Sequence, residues 1–504
     1  MKRFFLIFLL GGAISMSQAQ KLQTTTLKMG DLKKIGWLAT NYGFSSGFGS
    51  DDNNYYVNGN YNSYYIINKK LTTVKEVPIQ MEKKDHHLKT VLNGDNVVVF
   101  VRRYKKSEGK GEVAMRTFNK MTGKFKDEKV IATFSMKKSD FLGTAITESP
   151  DKNKTAFLFV LADKKDKADS YYVMVMDEFL RVEWSSAYDL EISNESFSVK
   201  DFAVTNKGEL YIAFFSYPEN VKKAVNKKSY IDLVYLTDGA KEKMNVPLDK
   251  CELAEISLKP LKSGDMYLAA LLTVDDKSYA GEFLSMKING HSFNDGGSHK
   301  KAIDDKNTHI RFAANYLIPY NYLYYLEIEK ILELDNGNIA VVCEQTLSTS
   351  YVTQDRSVVY VKVRGSVSTF FVNGNDATVE DVSIMGKTQI NRANSINSPA
   401  KSWGLSIFPF AYGNKVAYLF NDEFKKYATP AKYKGTSFKN VFGKDACIVL
   451  STQESGNKAK IEVLSGSKAA AGRLLRQTLF QEDDKLLILT TNKSGAYIET
   501  LTLP

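Results

Sequence analysis

Residues 89–101 read KTVLNGDNVVVFV, residues 201–215 read DFAVTNKGELYIAFF and residues 329–344 read EKILELDNGNIAVVCE. In each, a strand-like run meets a short polar turn and leaves into a second run rich in Val, Ile and Phe. This is the pattern of a β-hairpin. β-Branched and aromatic residues suit a pleated, half-buried surface, while Asn, Asp, Gly and Lys supply the turn. The unit recurs seven times, with turns centred near Gly94, Lys152, Gly208, Gly264, Gly337, Gly413 and Asp484. The intervals are 58, 56, 56, 73, 76 and 71 residues, so the first four repeats are nearly even and the later ones carry insertions.

A second hairpin follows the first within a repeat. After VVVFVRR comes VAMRTFNKMTGKFKDEKVIATF, and after LYIAFFSY comes YIDLVYLTDGAKEKMNVPL. Two hairpins make a four-stranded antiparallel unit, with the innermost strand just before each marked turn. Helical signals are sparse; DEFLRVEW and AAAGRLLRQ are short and lack sustained 3.6-residue periodicity.

Repeats of this length built from strand hairpins predict an all-β fold, a β-propeller of seven four-stranded blades, with six or eight also compatible. The open count comes from residues 30–60 and 430–470, which are irregular. The ends suggest how the ring closes. Residues 63–79 look like an outer hairpin without its inner partner, and RQTLFQEDDKLLILTTNK near the C-terminus looks like an inner hairpin with one more strand after it. N- and C-terminal strands sharing one blade would complete it. The chain resembles the β-propeller superfamily, and among its members the exported bacterial propellers of unassigned function. The resemblance covers residues 60–502 and rests on pattern. The Gly-His and Trp-Asp dipeptides of WD40 repeats and the paired glycines of kelch repeats are absent, so it brings no functional residues with it.

The first nineteen residues stand apart. Lys2 and Arg3 form a positive start, FFLIFLLGGAI is an apolar core, and Ser17-Gln18-Ala19 places small residues at −3 and −1. This is the grammar of a cleaved secretory signal, with Gln20 as the mature N-terminus. The apolar run is shorter than the roughly 18–20 residues that span a bilayer. The expected organisation is therefore a signal over 1–19, a leading segment over 20–60 and a propeller over 61–504, carrying insertions at 294–328 and 375–403. The expected location is outside the cytoplasm, in the periplasm or the cell exterior, with no transmembrane segment after cleavage.

Net charge is +11 for the full chain and +9 without Lys2 and Arg3. The lysines are spread through turns and interleaved with acids, whereas a nucleic-acid binder concentrates them on one element. No nucleic-acid partner is expected. Cys251, Cys343 and Cys447 are far apart and form no CxxC, and the last two sit in apolar strand patterns. They read as buried thiols.

Blade topology says where a site would be. In a four-stranded meander, the first-to-second and third-to-fourth turns lie on one face of the disc. The second-to-third loop and the link to the next blade lie on the other. All the long insertions are of the second kind: 294–328, 346–357 and 375–403. They should cluster on one face, and long loops on a rigid scaffold are where function tends to sit. The candidate ligand contacts there are His299, Asp304, Asp305, His309, Arg311, Tyr316, Tyr320, Tyr351, Arg392 and Trp403. Flat rings beside charged and amide groups suit sugar faces or peptide surfaces.

No metal is expected. His291, His299 and His309 are spaced by eight and ten residues, which matches neither HxH nor HxxxH. The chain has no GxSxG, HExxH, GxxxxGK[ST] or strand-linked GxGxxG, so no catalytic residue or cofactor is assigned. Glu148, Asp201 and Glu333 fall in or near innermost strands and could line a channel. The leading expectation is an exported, non-enzymatic propeller that binds a protein or polysaccharide of the cell envelope or exterior through its insertion face. The alternatives are a carbohydrate-active or other hydrolytic enzyme with channel carboxylates, and an envelope assembly scaffold.

Overall fold

The turns explain the strands. In the computed structural model, Gly94, Gly208, Gly264, Gly337 and Gly413 all take positive φ, between 54° and 93°, and Lys152 does the same at 62°. A tight antiparallel connection needs that left-handed conformation, which glycine adopts without a Cβ penalty. The structure describes residues 27–28, 47–59, 62–105, 107–135, 141–162, 168–193, 197–216, 230–248, 251–273, 280–290, 294–303, 326–353, 357–387, 389–393, 407–423, 446–457, 460–463, 473–482, 485–492 and 495–502. Among them every regular element is a strand, and no helix is long and apolar enough to cross a membrane.

A two-residue strand, β1 (Leu27–Lys28), comes first. The first full sheet is β2 (Gly47–Ser50), β3 (Asn54–Asn58), β4 (Ser63–Asn68) and β5 (Val74–Pro78). The second is β6 (His86–Asn93), β7 (Asn96–Lys105), β8 (Lys110–Asn119) and β9 (Phe125–Ser135), and the third is β10 (Phe141–Glu148), β11 (Thr155–Ala162), β12 (Ala168–Met176) and β13 (Val182–Ser193). The fourth holds β14 (Phe197–Val204), β15 (Leu210–Ser216), β16 (Tyr230–Thr237) and β17 (Ala240–Pro247). The fifth holds β18 (Glu252–Pro260), β19 (Met266–Thr273), β20 (Ala280–Asn289) and β21 (Asn294–Ala302). The sixth has β22 (Leu326–Glu333), β23 (Ile339–Val352), β24 (Val358–Val372) and β25 (Val379–Met385), with β26 (Gln389–Ala393) adding to β24. The seventh is β27 (Ile407–Tyr412), β28 (Lys415–Glu423), β29 (Ala446–Gln453) and β30 (Lys460–Val463). Finally β31 (Arg473–Glu482), β32 (Lys485–Asn492) and β33 (Gly495–Thr502) form a sheet whose fourth strand is β1.

Every pairing is antiparallel, and the first strand of each sheet contacts the first strand of a neighbour: β2 to β6, β10 to β14 to β18 to β22 to β27 to β31, and β31 back to β2. The Lys89–Glu148 ion pair at 2.6 Å joins β6 to β10, and the sheets thus form a closed ring, a β-propeller. Seven sheets are built on the seven hairpins of the sequence. The eighth is β2–β5, whose inner hairpin lies inside the segment read as a leader over 20–60. Chain ends do share a sheet, but the N-terminal contribution is Leu27–Lys28, paired with Ile498 and Tyr497, and not the 63–79 hairpin.

The apolar core is interleaved between sheets. Leu268, Met266 and Leu284 pack with Tyr211, Ala213 and Leu233 of the preceding sheet, while Tyr267, Ala269 and Phe283 pack with Ile339, Val341 and Phe370 of the next. Alternation along each strand therefore serves two interfaces, so strands such as β19 are apolar throughout. The three cysteines are buried and none is in a disulfide.

The stretches read as insertions contain strands. Asn294–Ala302 pairs with β20 despite its poor strand composition, because the neighbouring edge supplies the hydrogen bonds and Gly297 takes φ 138° where an added Cβ would meet the Asp376 carbonyl at 2.3 Å. Residues 379–385 and 389–393 are β25 and β26.

Candidate functional site

The sixth sheet departs from the others. Its middle strands run to 14 and 15 residues, well beyond the four-stranded part. The lower half of β24, Val367–Val372, pairs with β25, and the upper half, Tyr360–Arg364, pairs with β26. A three-stranded extension therefore rises from the face that carries the blade links. It ends in Val352 opposite Val358, 66% and 40% exposed, closed by a Thr353–Ser357 hydrogen bond of 2.9 Å. The segment 346–357, read as a loop insertion, is the top of this hairpin.

At the foot of the extension the β23–β24 register slips between Glu344 and Thr346. A bulge re-aims side chains where it occurs, and here charged groups gather. Arg364 Nη1 lies 2.6 Å from Glu327 Oε2, 2.9 Å from Glu329 Oε1 and 3.4 Å from Glu344 Oε2. The Lys387 ammonium pairs with Glu344 Oε1 and donates to Gln389 Oε1 at 3.1 Å, and Gln389 Nε2 donates to the Asn421 carbonyl at 2.7 Å. Glu344 and Lys387 side chains are essentially inaccessible, whereas Glu327 is 46% exposed. Burying a pair of charges is costly unless they are matched and hydrogen-bonded, and this cluster supplies both conditions.

Glu255 of β18 completes the group from the neighbouring sheet. Its Oε2 accepts the Ile328 amide at 2.5 Å. Burial, with the charges of Glu327 and Glu329 adding, pushes its carboxyl up to about 7 against the pull of the amide and Arg364. Burial lowers the Arg364 guanidinium's proton affinity, but the three carboxylates, Glu344 foremost, outweigh it and raise the pKa. A carboxyl able to hold a proton near neutrality beside a partly exposed carboxylate is chemically competent for proton transfer. Among the described residues no group of three or more His, Cys, Asp or Glu could hold a metal ion.

Of the residues singled out from sequence, Tyr351 lies on β23 opposite Val359 and Arg392 on β26 opposite Val361. The structure thus brings these two to one extension. His299 lies on the outer strand β21, with its ring nitrogen 3.2 Å from Thr378 Oγ1, just before β25. It ties two sheets together at the rim. Asp304, Asp305, His309, Arg311, Tyr316, Tyr320 and Trp403 lie outside the described residues.

Channel candidates Glu148, Asp201 and Glu333 are each committed to a neighbouring sheet. Glu148 pairs with Lys89 at 2.6 Å, Asp201 accepts from Ser257 and Leu258, and Glu333 accepts the Lys262 amide at 2.9 Å. Sequence reasoning missed Glu255, Glu327, Glu329, Glu344, Arg364 and Lys387. Their one visible signal was charge inside strand patterns, as in VVCEQT and YVKVRGSV.

No family model and no curated protein matches the chain. Solved structures similar to it include the Dos1 propeller, at 9% identity over 91% of this chain and 93% of that one with a TM-score of 0.40. The polysaccharide lyase Uly1 aligns at 9% identity over 85% and 92%, with a TM-score of 0.34. The β-propeller domain of the Trilobed protease from Pyrococcus furiosus aligns at 10% over 84% and 97%, also at 0.34. Similarity this distant carries no argument about chemistry or partners.

Proposed function

We propose that the protein is exported and binds a protein or glycan partner of the periplasm or cell exterior through the insertion-bearing face of its propeller. The observation that carries this reading is the three-stranded extension of β23, β24 and β26, with Val352 and Val358 exposed opposite each other near its end. Exposed apolar side chains on a projecting hairpin offer a partner apolar area to bury. Support for export is the leader sequence ending at Ala19. The test is a V352D/V358D variant in a pull-down from envelope extract and on a glycan array. Binding by wild type and its loss in a variant that melts like wild type is the expected result. Equal binding by both removes the extension from the account. Mass spectrometry of protein from the native host should find the mature chain starting at Gln20.

A second reading has its own observation, the Glu255 carboxyl held near neutrality beside Glu327. It makes the same face hydrolytic, with Glu255 as general acid and Glu327 as base. Turnover of a glycan or peptide panel by wild type, and its loss in Glu255→Gln, would establish it. A wild-type protein inert on both panels would not support it.

A further inference from the structure

The first and second sheets meet in a groove of about 660 Å³ beside their outer strands. One wall is the chain leaving β5, from Pro78 to Met81, and the other is the turn into β9, from Gly123 to Phe125. The walls are fixed to each other. Gly123 takes φ 69°, and an added Cβ would meet the Pro78 carbonyl oxygen at 2.0 Å, so glycine is what lets the turn approach this closely. Tyr64 of β4 donates to the Lys120 carbonyl at 2.7 Å, and Lys75 of β5 donates to the Met121 carbonyl at 2.6 Å. The groove is thus preformed, and little ordering opposes binding in it.

Its lining has a definite chemistry. The Arg116 guanidinium lies 5.2 Å from the Phe125 ring centroid, and Phe118 meets the ring edge-on at 5.8 Å. Arg116 is itself held by Asp85 at 2.5 Å and Glu128 at 3.5 Å. Phe125 nevertheless stays 43% exposed where it lines the groove. An aromatic ring pinned in place and open to solvent is a platform for a flat partner. The exposed side chains of Asn62, Gln80 and Lys124 stand around it, and among the described residues none of the three has a hydrogen bond or ion pair.

We propose that this groove binds a carboxylate-bearing sugar, a uronate unit of a glycan chain. The sugar ring lays its C–H face on Phe125, beside Ile79 and Met81, and its hydroxyls bond the Asn62 and Gln80 amides. Lys124, the one charged side chain among the described lining residues, meets the carboxylate. An extended peptide fits less well, because it reads free backbone groups along an edge. Here the Ile79 amide already donates to the Asn62 carbonyl at 2.8 Å, and the Gly123 amide to the Asn119 carbonyl at 2.8 Å. The groove belongs to the first two sheets and the extension to the sixth, so this site does not rest on the reading above.

The test is titration of the full chain with oligogalacturonate, oligoguluronate and hyaluronan fragments, against maltotriose and chitotriose as neutral sugars and triglutamate as a peptide anion. Tighter binding of at least one uronate probe than of the neutral sugars and triglutamate is expected. Phe125→Ala should weaken that binding about tenfold, as loss of one aromatic platform does. Lys124→Met should remove the preference for the uronate over the neutral sugars. V352D/V358D should bind the uronate as wild type does, which separates failure of this site from failure of the extension. No binding of any uronate probe overturns the proposal, as does triglutamate binding as tightly as the sugars, or uronate binding unchanged in Phe125→Ala and Lys124→Met. Should Phe125→Ala melt well below wild type, Lys124→Met decides alone, because its ammonium has no contact among the described residues to lose.

Discussion

Asp201 on β14 accepts the Leu258 amide of β18 at 2.6 Å, a side-chain bond from one sheet to the backbone of the next. The residue stands just past a bulge, where the β14–β15 register shifts between Val199 and Asp201. The same shift occurs at Lys89, Glu255 and Lys330, and each reaches the next sheet: Lys89 to Glu148, Glu255 to the Ile328 amide, Lys330 to the Pro409 carbonyl. In these four innermost strands a side chain beside the bulge reaches the next sheet and pins the two together. Asp201→Ala should strip the acceptor from Leu258 and Ser257 and cost about 1–3 kcal/mol in urea unfolding. Asp201→Asn, which keeps one acceptor, should cost less. An alanine variant as stable as wild type would mean the pins are incidental.

Glu255 makes stability depend on pH in a particular direction. Its folded-state pKa of about 7 lies above the ordinary 4.5, so across that window the folded protein keeps a proton the unfolded chain has released. Its contribution is fully present below 4.5 and is lost as pH rises through 7. Glu255→Gln keeps an acceptor for Ile328 without the charge. It should raise stability at about pH 8 by roughly 1–2 kcal/mol, allowing for solvent screening, and change little at acid pH. Unfolding midpoints at the two pH values check this; a variant destabilised at both would reverse the sign.

Glu344 and Lys387 form a pair that only makes sense together. Lys387→Met leaves Glu344 buried with Arg364 at 3.4 Å as its remaining cation, a loss of about 3–5 kcal/mol for breaking one side of a buried pair. Glu344→Leu strands Lys387 in the same way. The double variant should cost well under the sum of the two, as a double-mutant cycle in urea would show. Additive costs would mean that the two charges do not depend on each other.

How much of this could be read from the chain depended on whether the reason for a residue was local. The hairpins were legible because Gly94, Gly208 and Gly337 answer a local turn requirement between apolar runs. The first sheet was not, because its inner strand reads GFGS. Here an added Cβ on Gly49 would meet the Leu92 Cβ at 2.5 Å, so the residue is small for the sake of the neighbouring sheet. NDGGSHKKA failed for a similar reason: its strand state comes from pairing with β20 and not from its own propensity. That the β23–β24 connection and the blade links share one face followed from strand order. The charged cluster did not, because Glu255, Glu327, Glu344, Arg364 and Lys387 meet through a register slip and an inter-sheet contact that no sequence spacing encodes.

Gly49 gives the sharpest test of the first sheet's place in the ring. The nearest atom to its missing side chain is the Leu92 Cβ, and the next, Leu92 Cδ2, lies at 3.1 Å. Gly49→Ala should therefore force the two innermost strands apart and cost about 1–3 kcal/mol, as overpacking in a fixed site usually does. Trimming the neighbour to alanine removes Cδ2 but leaves the Cβ that causes the clash, so Leu92→Ala should not relieve Gly49→Ala. Leu92→Gly removes it. Both changes at Leu92 carry their own cost in lost packing, so the quantity to measure is the coupling energy from each double-mutant cycle in urea. It should be near zero for the alanine pair and clearly favourable for the glycine pair. Equal coupling in both cycles would place Gly49 away from Leu92 and would remove β2 from the ring.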